Sequence, residues 1–391
     1  MLSHEAIIDT VWDANIKPVL LKRFPQATAE DLKQAHANAY GGCIIQDMGY
    51  YPFGSHQFSD LLHYVRSGDF IVNLLKEART LNEYAFALGA MAHYAADTRG
   101  HSIAVNRAVP IQYPKLERKF GPDVTYADDP TSHMRVEFSF DVVQVAHGNY
   151  APQTYHDFIG FQVAKELLQR AFYATYSLKL ESIFTDLDLA LNTYRHTVSS
   201  LIPRVTRVTW KVKKADLQKA QPTITKRSFV YNLSRAGYHK EWDGKYKSPG
   251  PGSWLLEILI RFLPKIGPLK LLAIKPPTQQ TESMFETSFN STLTEYRRLL
   301  AEEGEGRLAL ENRDFDTGAP TRPGEYKLAD RTYARLARHL AALNPPPDNP
   351  ALLRNLLDFF HDLNQPNAAK KDTDEWQRTV EAVGKLRAMP Y

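Results

Sequence analysis

Histidine and carboxylate residues recur in this sequence at a four-residue spacing, which places two side chains on the same face of a helix. His93 and Asp97 form such a pair within a strongly apolar stretch, and His101 follows four residues later, after Gly100. A carboxylate that faces into an apolar helix is costly unless a positive charge meets it, and a bound cation is the simplest partner. By itself, a pair of this kind is more often part of a salt bridge or a helix cap than a metal site.

Four other elements contain the same residue types. His133 and Glu137 repeat the four-residue spacing among apolar neighbours. Asp47 lies between an apolar run and an aromatic segment, His63 lies in a helical pattern, and His4 lies near the start of the first helical segment. Nine of the thirteen histidines fall in the first 156 residues, so this part of the chain is the candidate for metal chemistry.

The composition limits what these residues can bind. Cys43 is the only cysteine, which excludes an intramolecular disulfide and any cysteine-rich zinc or iron–sulfur site. A metal ion would therefore be held by His, Asp and Glu. The formal net charge of +4 is too small, over the whole chain, to indicate a nucleic-acid partner.

Helices are the elements that must position these side chains. Apolar residues recur at three- and four-residue spacing up to about residue 200, and strand-like alternation is scarce throughout. The sequence predicts an all-α fold, with a helical bundle as the first domain over residues 1–203. Ser3 is the expected N-cap of the first helix. The expected loops lie at Gly41-Gly42, Tyr50 to Gly54, Val109-Pro110 and Asp128 to Pro130.

A basic connector is predicted at residues 204–252. Between 204 and 247 it carries twelve Lys or Arg and three acidic residues, so the rest of the chain is net acidic. Such a stretch is explained either as a solvated linker or as a surface for anionic lipid or phosphate.

The remainder, 253–391, is predicted to be a mostly helical C-terminal region of unknown role. Its start, 254–274, is the most apolar run of the chain, but charged residues and prolines interrupt it, which disfavours a membrane span. A buried helix and an interfacial helix lying on a bilayer are the two interpretations. Loops are expected at 312–326 and 344–347, and we find no sequence signal for chemistry between 278 and 391.

In this order, the five elements resemble the zinc-dependent phospholipase C family and the related single-strand-specific zinc nucleases. The resemblance covers about residues 3–200 and implies a helical bundle that binds two or three zinc ions. It implies the following ligands: His4, Asp47, His63, His93, Asp97, His101, His133 and Glu137.

The resemblance also implies how these ligands are shared. One zinc would take Asp47, His63, His93 and Asp97; a second would take His101, His133 and Glu137; a third would take His4, with Asp97 as a bridge. Three features depart from the family pattern. Its amino-terminal Trp is absent from Met1-Leu2-Ser3, which leaves the third zinc open. The Asp97 to His101 spacing is tight, and His56 is an alternative to His63, which we prefer.

The implied activity is hydrolysis of a phosphodiester by metal-activated water, with Asp47 as the candidate base and without a covalent nucleophile. The leading hypothesis is a phospholipase C that acts on phospholipid head groups. A zinc nuclease or nucleotide phosphatase is the first alternative. The second is a non-catalytic, metal-stabilised protein that binds a membrane or a partner.

The aromatic residues Tyr50, Tyr51 and Phe53 follow Asp47 and are the candidate substrate-binding residues. They suit cation–π contact with a quaternary ammonium group, stacking on a nucleobase, or ordinary loop packing. Phospholipid is the expected partner, with peripheral membrane contact through 254–274 and the basic connector; the leading hypothesis involves no nucleic acid. The family implies a secreted or periplasmic protein, although no signal peptide is visible.

Overall fold

A computed structural model describes residues 2–147, 161–198 and 277–389, together with a few isolated positions between 210 and 275. The segment 254–274 and nearly all of the connector 204–252 lie outside those residues. The lipid-facing surface proposed for these two segments therefore stays a prediction, as does the division of the chain at 203 and 252.

The described part of the chain is helical and contains no β-strand, which confirms the predicted all-α fold. The helices before residue 198 are α1 (Leu2–Val11), α2 (Lys17–Arg23), α3 (Ala29–Ile44), α4 (His56–Tyr64), α5 (Ser67–Glu77), α6 (Leu81–Gly100), α7 (Asn106–Gln112), α8 (Pro114–Phe120), α9 (Pro130–His147), α10 (Lys165–Tyr176) and α11 (Leu187–His196). Those after residue 277 are α12 (Gln279–Gly304), α13 (Lys327–Ala341), α14 (Pro350–Phe359) and α15 (Thr373–Arg387).

Short helical turns of other types connect three pairs of these helices. A turn of π-helix, Trp12–Ile16, joins α1 to α2, and another, His101–Val105, joins α6 to α7. A 3₁₀-helix, Ile45–Tyr50, joins α3 to α4. Two of these connections carry predicted ligands, because His101 begins the second π turn and Asp47 lies in the 3₁₀-helix.

Helix α6 lies at the centre of the bundle, and every residue from 84 to 98 is buried. Its most extensive neighbour is α3, and the two helices approach closely at glycines. A Cβ atom at Gly89 would lie 2.1 Å from the Ala39 carbonyl oxygen, and one at Gly42 would lie 1.9 Å from that of Phe86. The predicted loop at Gly41-Gly42 is therefore wrong, because both glycines belong to α3. Gly42 permits the contact with α6, whereas a Cβ atom at Gly41 would lie 1.7 Å from the Gln162 carbonyl oxygen.

Two other local predictions are also wrong. Val109 and Pro110 lie inside α7 rather than in a loop. Ser3 is part of α1, and the cap comes from a distant residue, since the backbone amides of Leu2 and Ser3 each donate to the Asp141 carboxylate at 3.0 Å. The first turn of α1 is thereby fixed to α9.

The C-terminal helices share the core of the first part of the chain. Helix α12 packs along α6, where the Tyr296 hydroxyl donates to the Leu88 carbonyl oxygen at 2.9 Å. Helix α13 packs against α4, and Leu336 and Leu352 belong to the same apolar cluster as the residues of α3 and α6. The loop 312–326 between α12 and α13 is present as predicted. Within the described ranges, no helix is long and apolar enough to span a membrane.

Candidate metal centre

The site is built on the buried end of α6. His93 is fully buried, and its Nδ1 donates to the Cys43 carbonyl oxygen at 2.9 Å. This bond can form because α3, which contains Cys43, packs closely on α6. This hydrogen bond leaves Nε2 facing Asp97, whose Oδ2 lies 3.0 Å away. The four-residue pair predicted from the sequence is therefore preorganised with one nitrogen and one carboxylate oxygen directed to the same point.

Helix α4 and the 3₁₀-helix complete a first group of ligand atoms. His63 donates from Nδ1 to the Ser59 carbonyl oxygen at 2.8 Å, and its Nε2 lies 3.4 Å from Asp47 Oδ1 and 3.5 Å from Asp97 Oδ2. One ligand atom from each of the four residues Asp47, His63, His93 and Asp97 lies within 4.8 Å of all the others. This is the set that the family resemblance implies for one zinc.

His4 approaches the same acid from α1. Its Nε2 lies 2.8 Å from Asp97 Oδ1, and its ring stacks on the His93 ring with centroids 4.6 Å apart. The two oxygens of Asp97 thus face different partners, Oδ1 facing His4 and Oδ2 facing His93 and His63. This is the arrangement that the predicted bridging role of Asp97 requires.

A second group joins the π turn after α6 to α9. Its members are His101, His133 and Glu137, which also have ligand atoms within 4.8 Å of one another. Glu137 Oε1 lies 2.9 Å from His133 Nδ1 and 3.3 Å from His101 Nε2. The chain continues helically past Gly100, so the tight spacing between Asp97 and His101 is accommodated by the π turn.

Buried ring nitrogens indicate that the side chains of the two groups, together with His4, fit a metal centre. Three buried ring nitrogens, His4 Nδ1, His93 Nε2 and His133 Nδ1, make no hydrogen bond of good geometry to a described residue, although carboxylate oxygens lie 3.0 Å from His93 Nε2 and 2.9 Å from His133 Nδ1. Buried polar atoms without a partner are rare and costly. For His93 and His133, the nitrogen is the one that faces the acids of its group, so a cation bound there would satisfy it. Nitrogen and carboxylate donors without thiolate suit zinc.

The pKa values in the first group are set by burial and by the contacts between histidine rings and carboxylates. Burial opposes the charged form of His63, but Asp47 and Asp97 outweigh it and raise its pKa to about 10. Burial likewise opposes the carboxylate of Asp97, but the His93 and His101 rings hold its pKa well below the usual range. The pKa of Asp47 is lowered for the same kind of reason, despite its burial. The acids are therefore ionised at neutral pH, as metal ligands must be.

The solvent side of the site is marked by two acids and two aromatic rings. Asp47 and Glu137 have side-chain exposures of 27% and 37%, whereas the histidines of both groups are nearly buried. The Tyr50 ring meets the His63 ring edge-on at 6.0 Å and lies 5.7 Å from the Tyr126 ring. Tyr126 in turn meets His133 at 5.8 Å. Tyr50 and Tyr126 therefore form a wall that extends from one group to the other.

The other two predicted substrate-binding residues have different surroundings. Tyr51 meets the Tyr194 ring at 4.6 Å and packs against the core, and Phe53 is 44% exposed. Tyr50 meets the ring of the candidate ligand His63. Tyr126 was missed because it lies in a polar loop without periodicity. His56 is exposed at the start of α4, whereas His63 belongs to the first group, in accord with our preference.

Sequence reasoning also missed an acid in the C-terminal region, where we expected no chemistry. Asp316 is 2% exposed, and its Oδ1 lies 3.1 Å from His101 Nδ1. Burial raises the pKa of such a carboxyl group, but the His101 ring outweighs it and lowers the pKa. A single acid in a loop gives no periodic signal, so only the spacing of Asp314 and Asp316 could have drawn attention.

A comparison with known proteins finds a family match over the first part of the chain. A family model described as zinc dependent phospholipase C matches residues 3–185, which confirms the resemblance predicted from the sequence. The matched region contains all eight predicted metal ligands and ends well before Asp316. Searches of the curated proteins and of the solved structures found no match.

Proposed function

We propose that this chain is a zinc-dependent phosphodiester hydrolase and that its substrate is a phospholipid, which it cleaves as a phospholipase C. The observation that carries the proposal is the convergence of two ligand groups, seven side chains in all, within the region that matches the family model. Asp47, His63, His93 and Asp97 would hold one zinc, and His101, His133 and Glu137 a second. His4 would share Asp97 with the first group and hold a third.

Bound zinc would supply an acidified water molecule and would stabilise the attacking and leaving oxygens of an in-line displacement. The protein's own residues supply orientation and proton transfer. The hydrogen bonds to Ser59 and Cys43 fix which nitrogen of His63 and His93 faces the site. Asp47 is the partly exposed acid of the first group, so its carboxylate can accept the proton of the attacking water.

The Tyr50 and Tyr126 wall supports the choice of a choline head group. Two aromatic rings beside the ligand groups suit cation–π contact with a quaternary ammonium group. The same rings suit stacking on a base, which makes a zinc nuclease the second candidate. Membrane contact through 254–274 and the connector, and an exported location, belong to the same proposal and rest on the sequence and the family resemblance.

The test begins with the zinc content of the purified protein, measured by elemental analysis. Two or three zinc ions per chain are expected. The zinc-loaded protein is then given phosphatidylcholine vesicles or single-stranded DNA at matched phosphodiester concentration. Release of diacylglycerol and phosphocholine, with slower release of nucleotides, supports the phospholipase. The reverse preference supports the nuclease, and about one zinc with no hydrolysis of either substrate supports a non-catalytic protein.

A further inference from the structure

The loop between α12 and α13 reaches the metal centre from outside the matched region. Its residue Phe315 lies against the rings of His63 and His93, with centroids 5.1 and 5.9 Å away, and its amide donates to the His63 carbonyl oxygen at 3.2 Å. The next residue, Asp316, lies behind the second group. The loop thus backs both groups of ligands, although more than 200 residues separate it from His63 and His101.

Asp316 fixes the ring of His101 through its side chain. A carboxylate only accepts, so the 3.1 Å contact assigns the hydrogen to His101 Nδ1. The opposite nitrogen, Nε2, is then the one available to bind a cation, and it faces Glu137, whose Oε1 lies 3.3 Å away. A metal-binding histidine in proteins commonly donates its other ring N–H to a carboxylate in this way.

Asp316 also acts on His133, through its main chain. Its carbonyl oxygen accepts from Asn106 Nδ2 at 2.7 Å, which leaves Asn106 Oδ1 to accept from His133 Nε2 at 3.1 Å. His133 Nδ1 is then the nitrogen available to bind a cation, and it lies 2.9 Å from Glu137 Oε1. One residue of the loop thus sets the orientation and the hydrogen position of both histidines in the second group.

The carboxylate of Asp316 is itself held rigidly. Its Oδ2 accepts from the hydroxyl of Tyr64 at 3.0 Å and from that of Tyr326. Its amide donates to Asp314 Oδ1 at 2.9 Å. These bonds leave the acid little freedom to turn, as a residue that orients a ligand requires.

We propose that Asp316 is a positioning residue of the second metal group and that the C-terminal region therefore completes the metal centre. The inference rests on the proposed zinc site but goes beyond the matched family region. Loss of such an outer partner typically weakens metal binding by about 10- to 100-fold. The effect should be confined to one of the bound ions, because the first group has carbonyl partners of its own in α3 and α4.

The test uses the full chain with Asp316→Ala and Asp316→Asn. The control is Asp330→Asn, since Asp330 is a buried acid of the same region whose carboxylate accepts two backbone amides, from Gly324 at 2.8 Å and from Ala368 at 2.7 Å. Zinc affinity is measured by competition with a chromophoric chelator. The visible spectrum of the cobalt-substituted protein reports the ligand geometry.

We expect Asp316→Ala to bind one zinc about 10- to 100-fold more weakly, to keep the affinity of the other, and to show an altered cobalt spectrum. Asp316→Asn keeps an acceptor for His101 and should be intermediate, whereas Asp330→Asn should match the wild type. Wild-type affinities and spectra in both Asp316 variants would overturn the inference while leaving the proposed function intact. A wild type that binds no zinc would overturn both. If Asp316→Ala does not fold, Asp316→Asn is compared with Asp330→Asn. Equal zinc affinities and cobalt spectra in these two variants would overturn the inference.

Discussion

Asp97 Oδ1 lies 2.8 Å from His4 Nε2, while the other oxygen of the same carboxylate lies 3.0 Å from His93 Nε2. One acid therefore joins α1 to the C-terminal part of α6. The buried carboxylate of Asp97 faces three histidines, His4, His63 and His93. Metal content is thus expected to depend most strongly on this residue.

Asp97→Asn should lower the zinc content by at least one ion per chain, because the variant removes a charge shared between His4 and the first group. Asp9→Asn is the matched control, since Asp9 pairs with His36 at 3.0 Å on the same bundle but outside both ligand groups. Elemental analysis after dialysis gives the comparison. Equal zinc contents in the two variants would contradict a ligand role for Asp97.

The choice between His63 and His56 has an equally direct test. His63→Ala should lose zinc from the first group and lose hydrolysis, because the Nε2 atom of His63 faces Asp47 and Asp97. His56→Ala should keep the wild-type zinc content, because His56 is exposed and edge-on to Tyr50 at 5.7 Å. The hypothesis that His56 is the ligand predicts the opposite pair of results.

Tyr50→Ala should raise KM for phosphatidylcholine by roughly 2- to 30-fold, the equivalent of about 0.5–2 kcal/mol of cation–π contact. A phosphodiester without a quaternary ammonium group should be affected less. Tyr51→Phe serves as the control, because Tyr51 packs against Tyr194 and the core. Steady-state kinetics on both substrates decides, and an equal rise in KM for the two would argue against a choline subsite at Tyr50.

Asp314 gives a prediction for stability against pH. Burial and the neighbouring Asp316 raise its pKa from 3.8 to about 8, so the folded state binds a proton more tightly than the unfolded state. Stability from this group is therefore lost as pH rises between about 4 and 8. Asn at this position does not titrate and still offers an oxygen to the Asp316 and Thr317 amides.

Asp314→Asn should consequently gain stability relative to the wild type as pH increases across that window. Urea unfolding of both proteins, with a chelator present throughout, measures the difference at each pH. Titrating groups that do not interact with Asp314 cancel in this comparison. A difference that stays constant from pH 4 to 8 would show that Asp314 titrates normally.

Helix packing around α6 gives a final prediction. Gly89→Ala should destabilise the protein by about 1–3 kcal/mol, because the new Cβ would lie 2.1 Å from the Ala39 backbone and would force the α3 and α6 helices apart. Gly384→Ala is the control: no atom lies within 4 Å of its added Cβ in α15, and replacing a helical glycine should stabilise by up to about 1 kcal/mol. Urea denaturation of both variants measures whether each substitution lowers or raises the free energy of unfolding.

Local spacing was enough to predict a large part of this site. The pairs His93 with Asp97 and His133 with Glu137 are fixed by helix geometry, since residues four apart lie on one face wherever the helix is placed. The apolar residues of α6 likewise indicated a helix, and the order of the elements indicated the family. These features depend only on neighbours within a few residues.

Other features depended on packing between distant segments. Gly41 and Gly42 gave a loop signal, yet both lie inside α3. The backbone of Gln162 leaves no room for a Cβ atom at Gly41, and the backbone of α6 leaves none at Gly42. Ser3 gave a cap signal, yet Asp141 caps α1. The backbone conformation that glycine and serine favour is a weak preference, and burial of a helix against its neighbours outweighs it.

The sequence by itself determined the fold class, the helical pairs and the residue types of the candidate metal centre, because each follows from residue type and short-range spacing. Only the tertiary structure decided which ring nitrogens face the site, that Tyr126 joins Tyr50, and that Asp316 approaches His101. Those relationships arise when segments as far apart as 215 residues are brought together by the common core, and no periodicity in the chain encodes such a contact.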